Sequence, residues 1–341
     1  MLASRIPFFE EAGYRSMSDA STIKILVYDF KWGASLAPTS ACAPGYEIIS
    51  DPKRLKDADV VVFHIPTVPD LRGLWKRPGQ KWVAWSFESD RYYSRLRDPK
   101  YMRQFDLTMT YRWDSDVPVA YFGPDTRDDL LRAPALKTAS VPLVAFVSNR
   151  FDLSGRFKYL KELMQYLPVD SYGLALQNKK LPEDKRQETK LETIAAYKFT
   201  LAFENSISQD YVTEKFFEPL IVGSIPVYLG APNIDDFAPG EHCYINVAQF
   251  KGPRELAEYL IFAAGNQSEY DSYLAWKTKP LRQSFLDKVE VVAKDSFLRL
   301  SEKVRQMSAA DRAGGVGFAT RLTSTVSAVV KTVQHRLGLR E

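Results

Sequence analysis

Cysteine and histidine are nearly missing from these 341 residues, with two of the first and three of the second. Cys42 and Cys243 stand far apart with no CxxC or Cys/His spacing, which excludes a disulfide framework or a thiolate zinc site as the basis of the fold. His64, His242 and His335 are scattered, so sequence neighbours build no histidine dyad or metal triad, and none is given a role. Long apolar runs are lacking too. The opening "MLASRIPFFEEAGYRS" has a short apolar patch and then two glutamates, the pattern of neither a signal peptide nor an anchor, so a cytoplasmic location is expected. A charge field of one sign is also missing. The net +4 comes entirely from residues 301–341, where seven Lys/Arg face three Asp/Glu, and the balanced remainder argues against nucleic acid as a partner.

The residues present suit a folded α/β protein. At 45% hydrophobic and 26% charged the composition is ordinary, and the length divides most naturally into two domains. Continuous β-branched runs, "IKILVYDF", "ADVVVFHI", "KWVAWSFE" and "FDLTMTYR", read as buried parallel strands. The connector "FGPDTRDDLLRAPALKTAS" interrupts them, and a second series follows: "VPLVAFVSN", "VDSYGLAL", "KFTLAFENS" and "SIPVYLG". Helical spacing marks "GRFKYLKELMQYL" and "PRELAEYLIFAA". The expected organisation is an N-terminal extension (1–21), a first α/β domain (22–135), a second (136–300) and a basic tail (301–341). Ligands of such sheets sit at the carboxyl ends of strands, where helix N-termini offer free N–H groups.

The stretch "YKFTLAFENSISQDYVTEKFFEPLIVGSIPVYLG" carries the strongest chemical signal. It reads as a strand, a polar exit loop, and a helix with Thr213 as N-cap and Gly223 just past its end. Pro219, at the sixth helical position, is expected to kink that helix. At its anion-ready start Lys215 can meet a phosphate and Glu214 can accept from paired sugar hydroxyls; the same charges also read as a capping cluster. Arg150 and Arg156 follow a strand end, where a guanidinium can hold a diphosphate bidentately or stay solvated. Glu88 ends a strand after Trp82 and Trp85, and a carboxylate among aromatics has a raised pKa and can take a proton from an alcohol. Five of the six tryptophans precede residue 120, suiting sugar faces or simple core packing. Asp114 and Asp116 make an Asp-x-Asp spacing that reads either as a metal–diphosphate chelate or as turn residues.

"YKFTLAFENSISQDYVTEKFFEP" followed by "SIPVYLG" closely resembles the signature of the α1,3-fucosyltransferases, glycosyltransferase family 10. Similarity extends over about residues 80 to 290, through "WVAWSFES", "FDLTMTYRWDSDV" and "YINVAQFKGPRELAEYL". The resemblance implies two Rossmann-like domains facing a cleft in a GT-B arrangement, GDP-fucose on the C-terminal one and the acceptor on the N-terminal one. It implies Glu88 as catalytic base, and Arg156, Asn205, Tyr211, Glu214 and Lys215 as donor-binding residues, with no metal required. Two departures stand out: Ser89 is followed by Asp90 where the family has proline, and "SNRFDLSGR" lacks the usual proline and differs in length. Without the cysteines and membrane anchor of vertebrate members, the chain resembles bacterial ones.

The expected activity is inverting transfer of L-fucose from GDP-β-L-fucose to a hydroxyl of a GlcNAc-containing glycan, with α1,3 the expected linkage and α1,4 left open. Two rivals stand beside it: a metal-dependent glycosyltransferase using Asp114 and Asp116, and a non-catalytic glycan- or nucleotide-sugar-binding protein. In the tail Phe318, Leu322, Val326, Val329, Val330, Val333 and Leu337 share one helical face beside Arg321, Lys331, Arg336 and Arg340. Residues 318–339 are therefore expected either to lie on a membrane surface or to pack on the protein itself.

Overall fold

The computed structural model describes residues 22–28 and 45–307, apart from Pro69, Pro182 and Asp184. The amphipathic segment 318–339 and the extension 1–21 lie outside the described residues. Among the described residues ten strands form two parallel sheets of five. The first contains β1 (Ile23–Tyr28), β2 (Tyr46–Ile49), β3 (Val60–His64), β4 (Lys81–Ser86) and β5 (Leu107–Thr110), in the order β2-β1-β3-β4-β5. The second contains β6 (Leu143–Ala145), β7 (Val169–Ser171), β8 (Phe199–Phe203), β9 (Ile225–Leu229) and β10 (Ile245–Asn246), ordered β10-β9-β8-β6-β7. Each order reverses direction within the sheet, the doubly wound pattern that leaves a ligand crevice at the carboxyl ends of its strands.

Burial explains the composition of these strands. All five residues of β3 and of β8 are buried, as a parallel strand covered on both faces requires. Helices α1 (Pro99–Met102) and α2 (Thr126–Leu130) precede the second sheet. It carries α3 (Arg156–Leu163), α4 (Gln187–Ala195), α5 (Glu214–Val222), α6 (Pro253–Gly265), α7 (Gln267–Ser272) and α8 (Gln283–Val291). Leu160 and Leu163 of α3 and Leu256 and Leu260 of α6 share one core with Leu143, Phe199 and Val227 of the strands.

After α8 the chain returns to the first sheet. A helix over residues 296–307 packs Phe297, Leu300 and Val304 against Val60, Val62, Val83, Trp85 and Met109. The Tyr46 hydroxyl donates to Asp295 at 2.9 Å, and Arg299 donates to the Pro118 carbonyl at 2.8 Å. This helix crosses the position, residue 300, at which the sequence reading separates the second domain from the tail. No described helix is long and apolar enough to cross a membrane.

The signature helix α5 has the ends expected of it. The Thr213 side chain accepts from the Lys215 N–H, and Gly223 adopts the left-handed conformation (φ 72°) past the last turn. A Cβ at Gly223 would also fall 2.5 Å from Pro134, so both backbone and space require glycine. The helix runs through Pro219 without ending, and the Pro219 carbonyl accepts from the Ser224 N–H at 2.9 Å.

Candidate active site

Strand β8 delivers Glu204 into the interior, where its side chain is fully buried. A carboxylate at the end of an apolar strand must find partners. Glu204 accepts from the Thr213 N–H at 2.8 Å and the Thr213 hydroxyl at 2.9 Å, which ties the strand end to the start of α5. Gly230 permits the close approach, because a Cβ there would meet the Tyr228 hydroxyl at 2.3 Å and Glu204 Cγ at 2.6 Å. Lys215 Nζ then bridges the junction, donating to Thr213 Oγ1 at 3.0 Å and Glu214 Oε1 at 3.1 Å, with Glu204 at 3.5 Å.

The charges are set by that bridge. Burial pulls the Lys215 ammonium down, but Glu214 and Glu204 outweigh it and hold its pKa above the ordinary lysine value. Burial likewise works to raise Glu214, but Lys215 and Lys190 bring it down to about 2. Burial raises Glu204, opposed by Lys215 and the hydrogen bonds from Thr213. The helix start therefore presents a fixed cation beside a fixed anion.

Glu88 approaches from the other half of the molecule, just beyond β4. Its N–H donates to Ser86 Oγ at 3.0 Å, and the Tyr211 hydroxyl donates to Glu88 Oε2 at 3.2 Å. Burial raises the Glu88 pKa; Tyr211 and Lys215 offset part of the rise, while Glu214 adds to it. Tyr211 is buried, with Tyr111 edge-on at 5.1 Å and Tyr121 at 6.3 Å, and Tyr121 donates to the Phe87 carbonyl at 2.7 Å. A half-buried carboxylate of raised pKa, facing a helix start that carries a lysine, can abstract a proton close to a bound anion.

The structure thus brings Glu88, Tyr211, Glu214 and Lys215 together. Asn205, just after Glu204, is 5% exposed, and its Oδ1 has no hydrogen-bond partner among the described residues. Arg156 is placed otherwise than a bidentate clamp requires. It is 2% exposed, donating through Nη1 to the Phe203 carbonyl at 3.2 Å and through Nη2 to the carbonyls of Asn149 (2.7 Å) and Phe151 (3.1 Å). Only its Nε is without a hydrogen-bond partner, and the guanidinium anchors the 149–155 loop to the end of β8. Arg150 is exposed on that loop.

Asp114 and Asp116 turn to separate partners. Arg112 grips Asp114 through Nε and Nη2 at 3.2 and 3.1 Å, while Asp116 accepts from the Thr108 N–H and hydroxyl, each at 2.9 Å. Both are occupied as turn and strand-edge residues, in place of the shared chelate the spacing allows. Among the described residues no group of three or more His, Cys, Asp or Glu could hold a metal ion.

Sequence reading missed Glu204 and Asp210. Asp210 sits at φ 65°, accepts from the Trp113 N–H at 3.2 Å and from Asn233 Nδ2 at 2.9 Å, and lies 3.6 Å from Arg112, thereby joining the two halves. A lone glutamate closing the apolar run "FTLAFE" was the available signal for Glu204. Nothing local distinguishes Asp210, whose partners are about a hundred residues away on one side.

Two doubly wound parallel α/β sheets in one chain, with a buried lysine at a helix start on one and a desolvated carboxylate past a strand end on the other, have the organisation of a glycosyltransferase fold of GT-B type. The chain belongs to glycosyltransferase family 10: residues 136–314 match the family's fucosyltransferase C-terminal model and residues 20–122 the fucosyltransferase N-terminal model. It is 35% identical over 230 residues to a putative fucosyltransferase-like protein of Arabidopsis thaliana (67% of this chain, 44% of that one). It is 42% identical over 233 residues to GDP-fucose protein O-fucosyltransferase 3 of Gallus gallus (64% and 48%). To alpha-(1,3)-fucosyltransferase B of Drosophila melanogaster it is 34% identical over 212 residues (57% and 48%). The chain therefore spans about half the length of the curated relatives it matches. A crystal structure of an alpha1,3-fucosyltransferase superimposes with a TM-score of 0.54 at 18% identity, over 79% of this chain and 84% of that one. One with GDP-fucose gives 0.54 at 16%, over 83% and 95%; both likenesses concern the fold.

Proposed function

We propose that this protein is a fucosyltransferase that moves L-fucose from GDP-β-L-fucose to a hydroxyl of a GlcNAc-containing glycan, with inversion at the anomeric carbon. The observation that carries the proposal is the meeting of Glu88 with Tyr211 beside Lys215 and Glu214. Glu88 takes the acceptor hydroxyl proton as the oxygen attacks the anomeric carbon, and the bond from that carbon to the diphosphate breaks toward GDP. Lys215, held cationic, and the N–H groups opening α5 neutralise charge gathering on the leaving diphosphate. Glu214, ionised, accepts from nucleotide-sugar hydroxyls, and Asn205 offers its unpartnered Oδ1 beside them.

A protein hydroxyl is the second reading of the acceptor, favoured by the 42% identity to the Gallus gallus protein O-fucosyltransferase 3. One experiment separates them. Labelled GDP-fucose is offered with N-acetyllactosamine, chitobiose and folded protein acceptors, and the product is located by mass spectrometry. Labelled glycan supports the first reading and labelled protein the second; GDP release that no acceptor increases would refute transfer altogether.

A further inference from the structure

The two short segments that meet at Glu88 and Tyr211 also meet at a second point, two residues beyond Glu88 and three before Tyr211. There the Asp90 N–H donates to the Tyr111 hydroxyl at 3.1 Å, Tyr111 and Ser208 share a hydrogen bond at 3.1 Å, and Ser208 Oγ donates to Asp90 Oδ1 at 2.7 Å. The carboxylate oxygen accepts, so the one Ser208 proton points to Asp90 and the Tyr111 proton must point to Ser208. The three bonds therefore close into a ring in which every donor is used once. We propose that Asp90, Tyr111 and Ser208 are positioning residues whose ring holds Glu88 within hydrogen-bond reach of Tyr211; this rests on Glu88 acting as the base.

Tyr111 and Ser208 are buried, so water does not replace a lost bond, and the remaining partners are left unmet. Burial pushes the Tyr111 phenol up to about 12, which keeps its proton in place around neutral pH. The Tyr111 ring also braces Tyr211 edge-on, so the ring of hydrogen bonds supports both members of the Glu88–Tyr211 pair. A proline at position 90 would supply neither the N–H nor the carboxylate.

The test reads the Glu88 carboxyl directly, by carbon-13 NMR titration of glutamate-labelled protein, with Glu88→Gln assigning the signal. Ser208→Ala and Tyr111→Phe should each move the Glu88 midpoint upward by about half to one pH unit, because the Tyr211 hydrogen bond that favours the carboxylate loosens. Ser208→Thr keeps the hydroxyl and should titrate as the unmodified protein does. The other titratable groups that bear on Glu88, namely Tyr211, Lys215, Glu214, Tyr92, Tyr93 and Tyr121, are the same in every variant. Tyr111→Phe serves where Ser208→Ala does not fold. Unshifted Glu88 titration in these variants overturns the ring. Transfer is assayed on the unmodified protein separately, so the ring can fail while the fucosyltransferase reading stands, and the reverse.

Discussion

The Tyr211 hydroxyl donates to Glu88 Oε2 at 3.2 Å although 123 residues separate the two and each belongs to a different sheet domain. The contact couples the loop after β4 to the start of α5, so the proposed base and the proposed donor pocket are held in one geometry. It also favours the ionised carboxylate against the burial that raises its pKa.

Replacing Glu88 with Gln keeps the size and removes the base. Transfer should fall by roughly 10²- to 10⁴-fold, as measured for single general bases, while GDP-fucose affinity stays near that of the unmodified protein. Steady-state kinetics with calorimetric titration of the donor checks both halves. Unchanged turnover would remove Glu88 from the mechanism.

The same residue ties activity to stability with opposite signs. The Glu88 pKa is raised in the folded chain, so between the ordinary carboxylate value and the folded value the unfolded chain releases its proton first. Stability tied to Glu88 is therefore full at low pH and is lost as pH rises through the folded pKa, whereas catalysis needs the ionised form and is gained over that range. Glu88→Gln should raise Tm relative to the unmodified protein more at pH 7 than at about pH 4. Thermal melts across that interval, beside the acid limb of kcat/KM, test the sign.

Lys215→Met removes the cation at the start of α5. Loss of a charge-assisted hydrogen bond weakens binding by about 1.5–3 kcal/mol, so GDP should bind about ten- to a hundredfold less tightly. Glu204, fully buried, would keep its two bonds from Thr213 but lose its cation, and Tm should fall as well. Lys215→Arg, which keeps the charge, should recover much of the stability. Calorimetry with GDP and a melt of each variant measure these effects, and undiminished GDP affinity in Lys215→Met would detach Lys215 from the diphosphate.

Local signals made much of this molecule readable in advance. The strand runs before residue 120 and after residue 140 are self-evident because parallel strands buried on both faces need unbroken apolar sequence. Thr213 and Gly223 mark α5 because capping chemistry is local. The partners of Arg156 were not legible, because sequence shows a guanidinium past a strand end but not the carbonyls it folds onto. Asp210, Ser208 and Tyr111 carried no signal, since their partners come from distant segments. The helix over 296–307 was divided at residue 300 for the same reason: its apolar face fits a sheet built from residues 23–110.

That helix supplies the last prediction. Phe297, Leu300 and Val304 cover one face of the first sheet, and each contributes about 1.5–3 kcal/mol when fully buried. A chain ending at Ala310 keeps all three, together with the Tyr46–Asp295 and Arg299–Pro118 bonds and the contact of Arg305 with the Gly45 carbonyl. It should fold and melt close to the full chain. A chain ending at residue 294 uncovers Val60, Val62, Val83 and Trp85 and loses those bonds, so its first sheet should melt far lower or aggregate, with Glu88 losing its support at the end of β4. Leu300→Ala in the full chain is the milder version, with an expected cost of about 2–5 kcal/mol. Denaturant unfolding followed by tryptophan fluorescence, to which Trp82 and Trp85 of the first sheet contribute, distinguishes the three proteins. Equal stability of the chains ending at 294 and 310 would mean that the first sheet needs no cover from the returning helix.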